Sequence, residues 1–321
     1  MFVDVVSSVM ALNQSNPSVA GRRILITGAA RGIGAALARR LHQGGAKVAL
    51  IGLEPELLEQ VAASCGDAPW WECDVTNQEM VDDRVSAAVQ ALGGLDVVVA
   101  NAGIAAQLPL IGGDPEVMRR TLDVNVMGVY LTVRAAGAHI SHRNGYAVVI
   151  SSLASAVNLP MLGAYSASKA AVEAIGNTLR SELAPSGARV GVAYFAELDT
   201  DMTSRGFSTE AAEVLTGGGT VTSVAPLSAG IDALERGIAR RSRRIVAPRW
   251  VAPILPVRMT AQRVVDRYVR DKVSSALEIA RGEHPEFTTP QPPKVLSKGS
   301  VTETVGADKS SADSQPGESD Q

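Results

Sequence analysis

The chain has 321 residues, of which 46% are hydrophobic, 20% charged and only 4% aromatic, with 30 glycines. That suits one α/β domain with an aliphatic core, or at most two domains. A net charge of −3 gives no global reason to expect nucleic acid, two cysteines are too few for a disulfide framework, and no run approaches the ~20 apolar residues of a transmembrane helix.

Met1 to Leu12 is mildly apolar, carries Asp4 and lacks a basic stretch, which argues against a cleaved signal peptide, so residues 1–20 are read as an N-terminal extension. From residue 21 to 250, short apolar runs alternate with helical periods. The runs are Arg23 to Thr27, Lys47 to Ile51, Trp70 to Cys73, Leu95 to Ala100, Tyr146 to Ile150, Arg189 to Phe195 and Arg244 to Ala247. Several are continuously apolar, as strands covered on both faces must be. A helix pattern from Ile33 to Gln43 stops at Gly44-Gly45. This alternation predicts an α/β fold, a doubly wound Rossmann-type parallel sheet flanked by helices, in a single domain. Residues 200–225 read as an irregular lid or binding loop around Gly217-Gly218-Gly219. Residues 251–281 read as a basic amphipathic helical segment, and the polar, proline-rich residues 282–321 as a disordered tail.

The first apolar run leads into Thr27-Gly28-Ala29-Ala30-Arg31-Gly32-Ile33-Gly34 and then a helix. In that context Gly28 permits the turn, Gly32 lets the backbone approach a phosphate, and Gly34 allows close helix packing. The helix N-terminus then favours a pyrophosphate. An ordinary glycine turn between strand and helix is the other reading. Further on, Tyr165 and Lys169 are four apart, neighbours on one helix face, with Ser152 thirteen residues upstream of the tyrosine. An ammonium beside a phenol favours the phenolate, so a group with an ordinary pKa of about 10 can exchange protons nearer neutrality. His42, His139, His142 and His284 are scattered and give no metal-ligand pattern, so no metal is expected.

The spacing Thr-Gly-x-x-x-Gly-x-Gly, then Asn101-Ala102-Gly103 and Tyr165-x-x-x-Lys169, resembles the short-chain dehydrogenase/reductase family over about residues 20–250. The resemblance implies an oxidoreductase that moves a hydride between NAD or NADP and an alcohol or ketone. By it Tyr165 is the general acid/base, and Lys169 lowers the phenol's pKa and binds the nicotinamide ribose. Ser152 polarises the substrate oxygen, and Asn125 at a helix kink supports a water leading to the lysine. Cofactor contacts would come from Gly28, Arg31, Gly32, Ile33 and Gly34, from Asp74 and Val75 at the adenine, and from Asn101, Ala102 and Gly103 beneath the ribose. Tyr165, Lys169 and Thr200 complete that set. Asp74 also reads as a turn cap and the Asn101 run as a plain strand-end turn. The resemblance further implies a homo-oligomer, a dimer or tetramer.

Cofactor choice stays open. Gly52 stands where NAD-preferring relatives carry an aspartate, yet Glu54 can reach a ribose 2′-hydroxyl, which favours NAD, whereas Arg31 can meet a 2′-phosphate. After the sixth strand relatives commonly read Pro-Gly, three residues and then Thr, where this chain has Phe195-Ala196-Glu197-Leu198-Asp199-Thr200; the threonine is kept, the Pro-Gly is not, and Phe195 is expected to add bulk near the nicotinamide. The apolar stretch Leu153 to Leu162, with Met202 and Phe207, suggests a hydrophobic secondary alcohol or ketone as the small-molecule substrate. Residues 236–272 carry ten arginines and Lys272 against Asp266 and Asp271. Residues 257, 261, 264, 265, 268, 273, 276, 277 and 280 form one apolar stripe with Arg263, Arg267 and Arg270 on the other side. The segment is read either as a peripheral membrane contact or as packed on the domain. The location is expected to be cytoplasmic, with or without that contact. A non-catalytic dinucleotide-binding sensor or scaffold is the competing function.

Overall fold

The computed structural model describes residues 17–206, 209–217, 222–283 and 287. Within them seven strands form one wholly parallel sheet: β1 (Arg23–Thr27), β2 (Lys47–Gly52), β3 (Trp70–Glu72), β4 (Val97–Ala100), β5 (Tyr146–Ile150), β6 (Arg189–Phe195) and β7 (Arg244–Ala247). Their order is β3-β2-β1-β4-β5-β6-β7, the doubly wound topology that the alternation predicts. The order reverses between β1 and β4, and the crevice beyond the strands' carboxyl ends at such a switch point is where α/β sheets bind ligands.

The helices are the crossovers. α1 (Gly32–Gln43), α2 (Pro55–Ala63) and α3 (Gln78–Leu92) link the first strands, with Asn77 capping α3 by accepting from the Met80 amide at 3.0 Å. Between β4 and β5 run α4 (Pro115–Leu122), a π turn at Asp123–Met127, and α5 (Gly128–Ile140). α6 (Gly163–Leu183) joins β5 to β6, and α9 (Leu227–Arg240) leads to β7. Aliphatic residues fill both faces of the sheet, Ile24, Ile26 and Leu37 on one and Leu25, Ile51 and Val98 on the other. Aromatic side chains inside need made space: the buried Tyr146 hydroxyl donates to the Ser242 carbonyl at 2.6 Å, and a Cβ on Gly191 would sit 2.0 Å from that oxygen.

Three expectations change. The 200–225 zone is not wholly irregular, since it holds α7 (Asp201–Gly206) and α8 (Glu210–Thr216), the latter capped by Thr209 through the Ala212 amide at 3.1 Å. The basic segment is four pieces: α10 (Val251–Ile254), a 3-10 turn at Leu255–Val257, α11 (Arg258–Val269) and α12 (Val273–Ala280). The break at Arg270–Lys272 divides the single apolar stripe, and part of it packs on the domain: Ala276 and Ala280, with Val265, Val273 and Leu277 beside them and Val269 from outside the stripe, cluster with Met161, Ala211 and Leu215. Phe195 is only 4% exposed and packs in the core with Ala193 and Leu198, so its bulk does not enter the cleft. Phe207, His284, Gly218 and Gly219, residues 1–16 and nearly all of the expected tail lie outside the described residues. Among those described, no helix is long and apolar enough to cross a membrane.

Candidate active site

Because every strand runs the same way, the carboxyl ends of β1 to β6 open on one rim: the glycine turn follows β1, Glu54 β2, Asp74 and Val75 β3, Asn101 β4, Ser152 β5 and Thr200 β6, while Asn125 sits in the π turn and Tyr165 and Lys169 on α6. After β1, Gly28 and Gly32 take positive φ of 62° and 54°, conformations open to glycine at little cost. A Cβ on Gly34 would lie 2.2 Å from the Gly28 carbonyl oxygen, so the helix could not close on the turn with any larger residue. Above Gly32 there is nothing within 4 Å of such a Cβ, and Arg31 at the head of α1 offers no side-chain cap. An uncapped helix N-terminus in an open glycine cradle fits a dinucleotide pyrophosphate.

The turn is braced from β4. The Asn101 amide group donates to the carbonyls of Thr27 at 2.9 Å and Gly28 at 3.2 Å, while the Thr27 hydroxyl accepts from the Asn101 and Ala102 amides at 2.9 and 3.0 Å. Thr27 is thus a positioning residue that sequence reasoning passed over, although it opens the quoted motif. Asp74 accepts from the Thr76 amide at 2.9 Å and hydroxyl at 2.8 Å, the turn-cap geometry, and its other oxygen faces Arg120 at 3.4 Å. Val75 beside it is buried.

Arg31 and Glu54, the two side chains that pull toward different cofactors, are bonded to each other. The guanidinium donates to both Glu54 carboxylate oxygens, one at 2.8 Å, and reaches Asp201 at 3.4 Å. The Glu54 hydrogen bond, reinforced by the charges of Glu54 and Asp201, holds Arg31 firmly protonated. Asp201 opens α7, so this cluster ties the glycine loop to the start of that helix. Thr200, one residue earlier, caps that helix through the Thr203 amide at 3.4 Å.

Ser152, Tyr165 and Lys169 are gathered between β5 and α6. Ser152, just past β5, donates to the Phe195 carbonyl at 3.2 Å, accepts from the Ala154 amide at 3.1 Å and hydrogen-bonds Tyr165. The ammonium of Lys169 lies 5.5 Å from the centre of the Tyr165 ring and donates to the Ile150 carbonyl at 3.0 Å. Gly103 passes so close that a Cβ there would lie 3.5 Å from that nitrogen and 3.2 Å from Asn125 Oδ1. Asn125 is fully buried in the π turn. Its Oδ1 accepts from the Ile104 amide at 2.8 Å, and its Nδ2 donates to the Ile104 carbonyl and the Ser168 hydroxyl, both at 2.9 Å. The π turn widens the helix there, as such turns often do at functional sites. Two further supports had no sequence signal beyond adjacency: Ser151 donates to the Lys169 carbonyl at 2.8 Å, and Ser168 to the Tyr165 carbonyl at 2.7 Å.

The electrostatics run against one expectation. Burial pushes the Tyr165 phenol up, with the Ser152 hydrogen bond working the other way, and burial brings Lys169 down to about 8. In this pocket desolvation outweighs the mutual aid of ammonium and phenolate, so the lysine is only partly charged at mildly alkaline pH.

The family's Pro-Gly turn after β6 has a replacement. Leu198 bridges to Ala225, the Ala225 amide donates to the Glu197 carbonyl at 2.9 Å, and the Glu197 carboxylate accepts from the Thr222 hydroxyl at 2.7 Å. The C-terminal segment also holds α6: Arg258 at the head of α11 donates to both Glu173 oxygens, at 2.9 and 3.2 Å, and Glu173 accepts from Ser155 at 3.2 Å. Glu173 lies one turn beyond Lys169 and Ser155 three residues beyond Ser152, so one carboxylate links both halves of the site.

Most of the apolar 153–162 stretch is spent on packing: Ala156, with Leu153 and Val157, packs in the core, and Met161 and Leu159 meet α8, α11 and α12. A groove of about 470 Å³ beside it includes Leu110, Leu159, Leu277, Ser166 and Ala170 but neither Ser152 nor Tyr165. Its lining therefore stops short of those two side chains. Among the described residues no group of His, Cys, Asp and Glu is arranged to hold a metal ion.

Comparison with known proteins agrees with this geometry. The sequence model of the short chain dehydrogenase family matches residues 22–211. A dehydrogenase/reductase of chicken, SDR family member 11, is 38% identical over 174 residues, 51% of this chain and 68% of that one. An uncharacterized oxidoreductase of Methylorubrum extorquens is 37% identical over 177 residues, 54% of this chain and 71% of its own length. Among solved structures, a 3-ketoacyl-(acyl-carrier-protein) reductase from Brucella melitensis complexed with NADH superposes with a TM-score of 0.63 at 27% identity, over 72% of this chain and 98% of that one. A dehydrogenase/reductase from Sinorhizobium meliloti gives 0.63 at 28% identity, over 71% and 94%. The glycine cradle, the Asn101 brace and the Ser152–Tyr165–Lys169 cluster lie within the matched span, and the chain belongs to the short-chain dehydrogenase family.

Proposed function

We propose that this protein is a nicotinamide-dependent oxidoreductase acting on a hydrophobic secondary alcohol or its ketone, with Tyr165 as the general acid/base. The observation that carries the reading is the convergence of Ser152, Tyr165 and Lys169 on one rim with the open glycine cradle. When bound, the nicotinamide exchanges the hydride. Tyr165 gives a proton to the carbonyl oxygen in reduction and takes it from the hydroxyl in oxidation. Ser152 steadies that oxygen as charge grows on it. Lys169, held by its bond to the Ile150 carbonyl, supplies positive charge beneath the phenol and a donor to the nicotinamide ribose. Asp74 and Val75 take the adenine end, Ile33 the pyrophosphate side and Thr200 the carboxamide.

The apolar substrate class rests on the two walls flanking the rim. From Asn101 to Gly113 and from Ser151 to Ser168 the only ionisable side chain is Tyr165, so neither wall offers a charge to a polar ligand. Turnover of polar polyols in preference to apolar ketones contradicts this part of the reading. A cytoplasmic homo-oligomer accompanies it. The non-catalytic sensor would need no intact Ser, Tyr and Lys set, and all three are intact and in contact.

NAD is the proposed cofactor. Glu54 can accept from a ribose 2′-hydroxyl without releasing Arg31, whereas a 2′-phosphate would have to displace Glu54 from Arg31 and sit against its carboxylate. Glu54→Gln removes the repulsion and frees the guanidinium. Its ratio of kcat/KM with NADPH to that with NADH is expected to rise by about tenfold to a hundredfold, the worth of a hydrogen bond to a charged group. An unchanged ratio assigns cofactor choice to other residues.

A further inference from the structure

Exposed large hydrophobic side chains are not scattered over this protein. Of the ten among the described residues, five fall within residues 250–268: Trp250, Val257, Met259, Val264 and Tyr268. Val257, Val264 and Tyr268 share one outer strip of α11 and its approach, by their spacing of seven and four. Arg263, Arg267 and Arg270 form the adjoining strip, are exposed, and have no carboxylate partner among the described residues. The opposite face is occupied, since Val265 and Val269 pack against α8 and Gln262 bonds Asn158.

We propose that this outer face of α11 docks on an anionic lipid surface. The structure thereby moves the site from the whole 257–280 stripe to a single helix face, because Val265, Val273, Ala276, Leu277 and Ala280 of the stripe pack on the domain. An apolar strip beside a row of arginines, with a tryptophan nearby, is the chemistry of a helix lying in a bilayer interface: apolar groups enter the acyl boundary and guanidinium groups meet phosphates. A second copy of the chain is a poorer occupant. A two-fold interface centred on this face would bring the arginine strips of both copies together, with only Asp266 on α11 and Asp271 just after it to offset them. Docking would bear on the lid, because the Tyr268 hydroxyl donates to the Thr216 carbonyl at the end of α8 at 3.4 Å. The proposal stands independently of the redox chemistry.

Flotation of the full chain reads it directly, with phosphatidylcholine vesicles and with vesicles in which part of the lipid is phosphatidylglycerol. The protein is expected to float with the anionic vesicles and not with the neutral ones, and to be released at about 1 M salt, where charges are screened beyond ~3 Å. The triple variant Arg263→Gln, Arg267→Gln, Arg270→Gln should partition about a hundredfold more weakly, the effect of removing three basic side chains at such a surface. The pair Val264→Asp, Tyr268→Asp should abolish flotation. The triple changes only exposed groups, so it decides the matter even where the aspartate pair does not fold. Absence of flotation on anionic vesicles overturns the proposal. So does flotation that the triple leaves unchanged, or an aspartate pair that breaks an oligomer while flotation persists.

Discussion

Tyr165→Phe is expected to lower kcat/KM by about 10³- to 10⁴-fold, the contribution of a positioned general acid/base, while leaving NADH affinity within about twofold. The change removes one oxygen from a ring that otherwise keeps its place on α6. The cofactor cradle is built from Gly28, Gly32, Gly34 and Asn101, and Asn101 braces it through the Thr27 and Gly28 carbonyls. Titration of the variant with NADH, followed by fluorescence, alongside steady-state rates separates the two effects. A variant that loses affinity and rate together assigns the phenol to binding, and one that keeps its rate assigns proton transfer elsewhere.

Lys169→Met is the second large effect, and it moves activity and stability in opposite directions. Turnover should fall by about 10²-fold or more, since the charge beneath the phenol is gone. Stability at pH 7 should rise, because burial holds Lys169 at about 8 against an ordinary value of 10.5. That depression corresponds to about 3 kcal/mol of cost in the protonated native state, offset by about 1 kcal/mol for the lost hydrogen bond to Ile150. Below pH 8 native and unfolded chains both carry the proton and the cost is complete. Between about pH 8 and 10.5 the unfolded chain keeps a proton that the native one has released, so wild-type stability climbs with pH. Above about pH 10 the buried tyrosines reverse the trend in both proteins: burial pushes Tyr146 up, and Tyr194 up to about 12, and the unfolded chain ionises first. Urea unfolding of both proteins at pH 7 and 9.5 should show the advantage of the methionine variant shrinking with pH. An advantage that does not depend on pH places the lysine in a solvated site.

That a reaction site is less stable than an apolar substitute is an ordinary trade between activity and stability, and it explains where sequence reasoning stopped. The strands were legible because Ile24–Thr27, Val48–Ile51 and Val97–Ala100 are continuous runs that only a doubly covered sheet accommodates. The glycine cradle and the Tyr165–Lys169 pair were legible because the spacing of a turn and of one helix fixes their geometry locally. The sign of the pKa shifts was not, because burial is set by the whole fold and exceeds the effect of the neighbouring charge. Nor was the Arg31–Glu54–Asp201 cluster, whose members are 23 and 170 residues apart and meet only when β2 and the lid reach the same rim. Residue types alone left Arg31 and Glu54 as rivals, and the structure pairs them. The apolar stripe of 257–280 was correct in spacing and wrong in continuity, because spacing does not register the break at Arg270–Lys272 that sends α12 back onto α8. Phe195 was placed on the wrong side of its strand for a related reason: in a strand buried on both faces, alternation gives no sign of which face meets the cleft.

The account rests on hydride transfer at this rim, and isotope tracing tests that most directly. NADH carrying deuterium at nicotinamide C4 is incubated with the full chain and a panel of apolar ketones, and the alcohols are analysed by mass spectrometry and NMR. The predicted result is deuterium on the carbinol carbon from one face of the nicotinamide only, present with wild type and lost with Tyr165→Phe. Alcohol formed without the label, or label transfer that survives the loss of the phenol undiminished, contradicts the account.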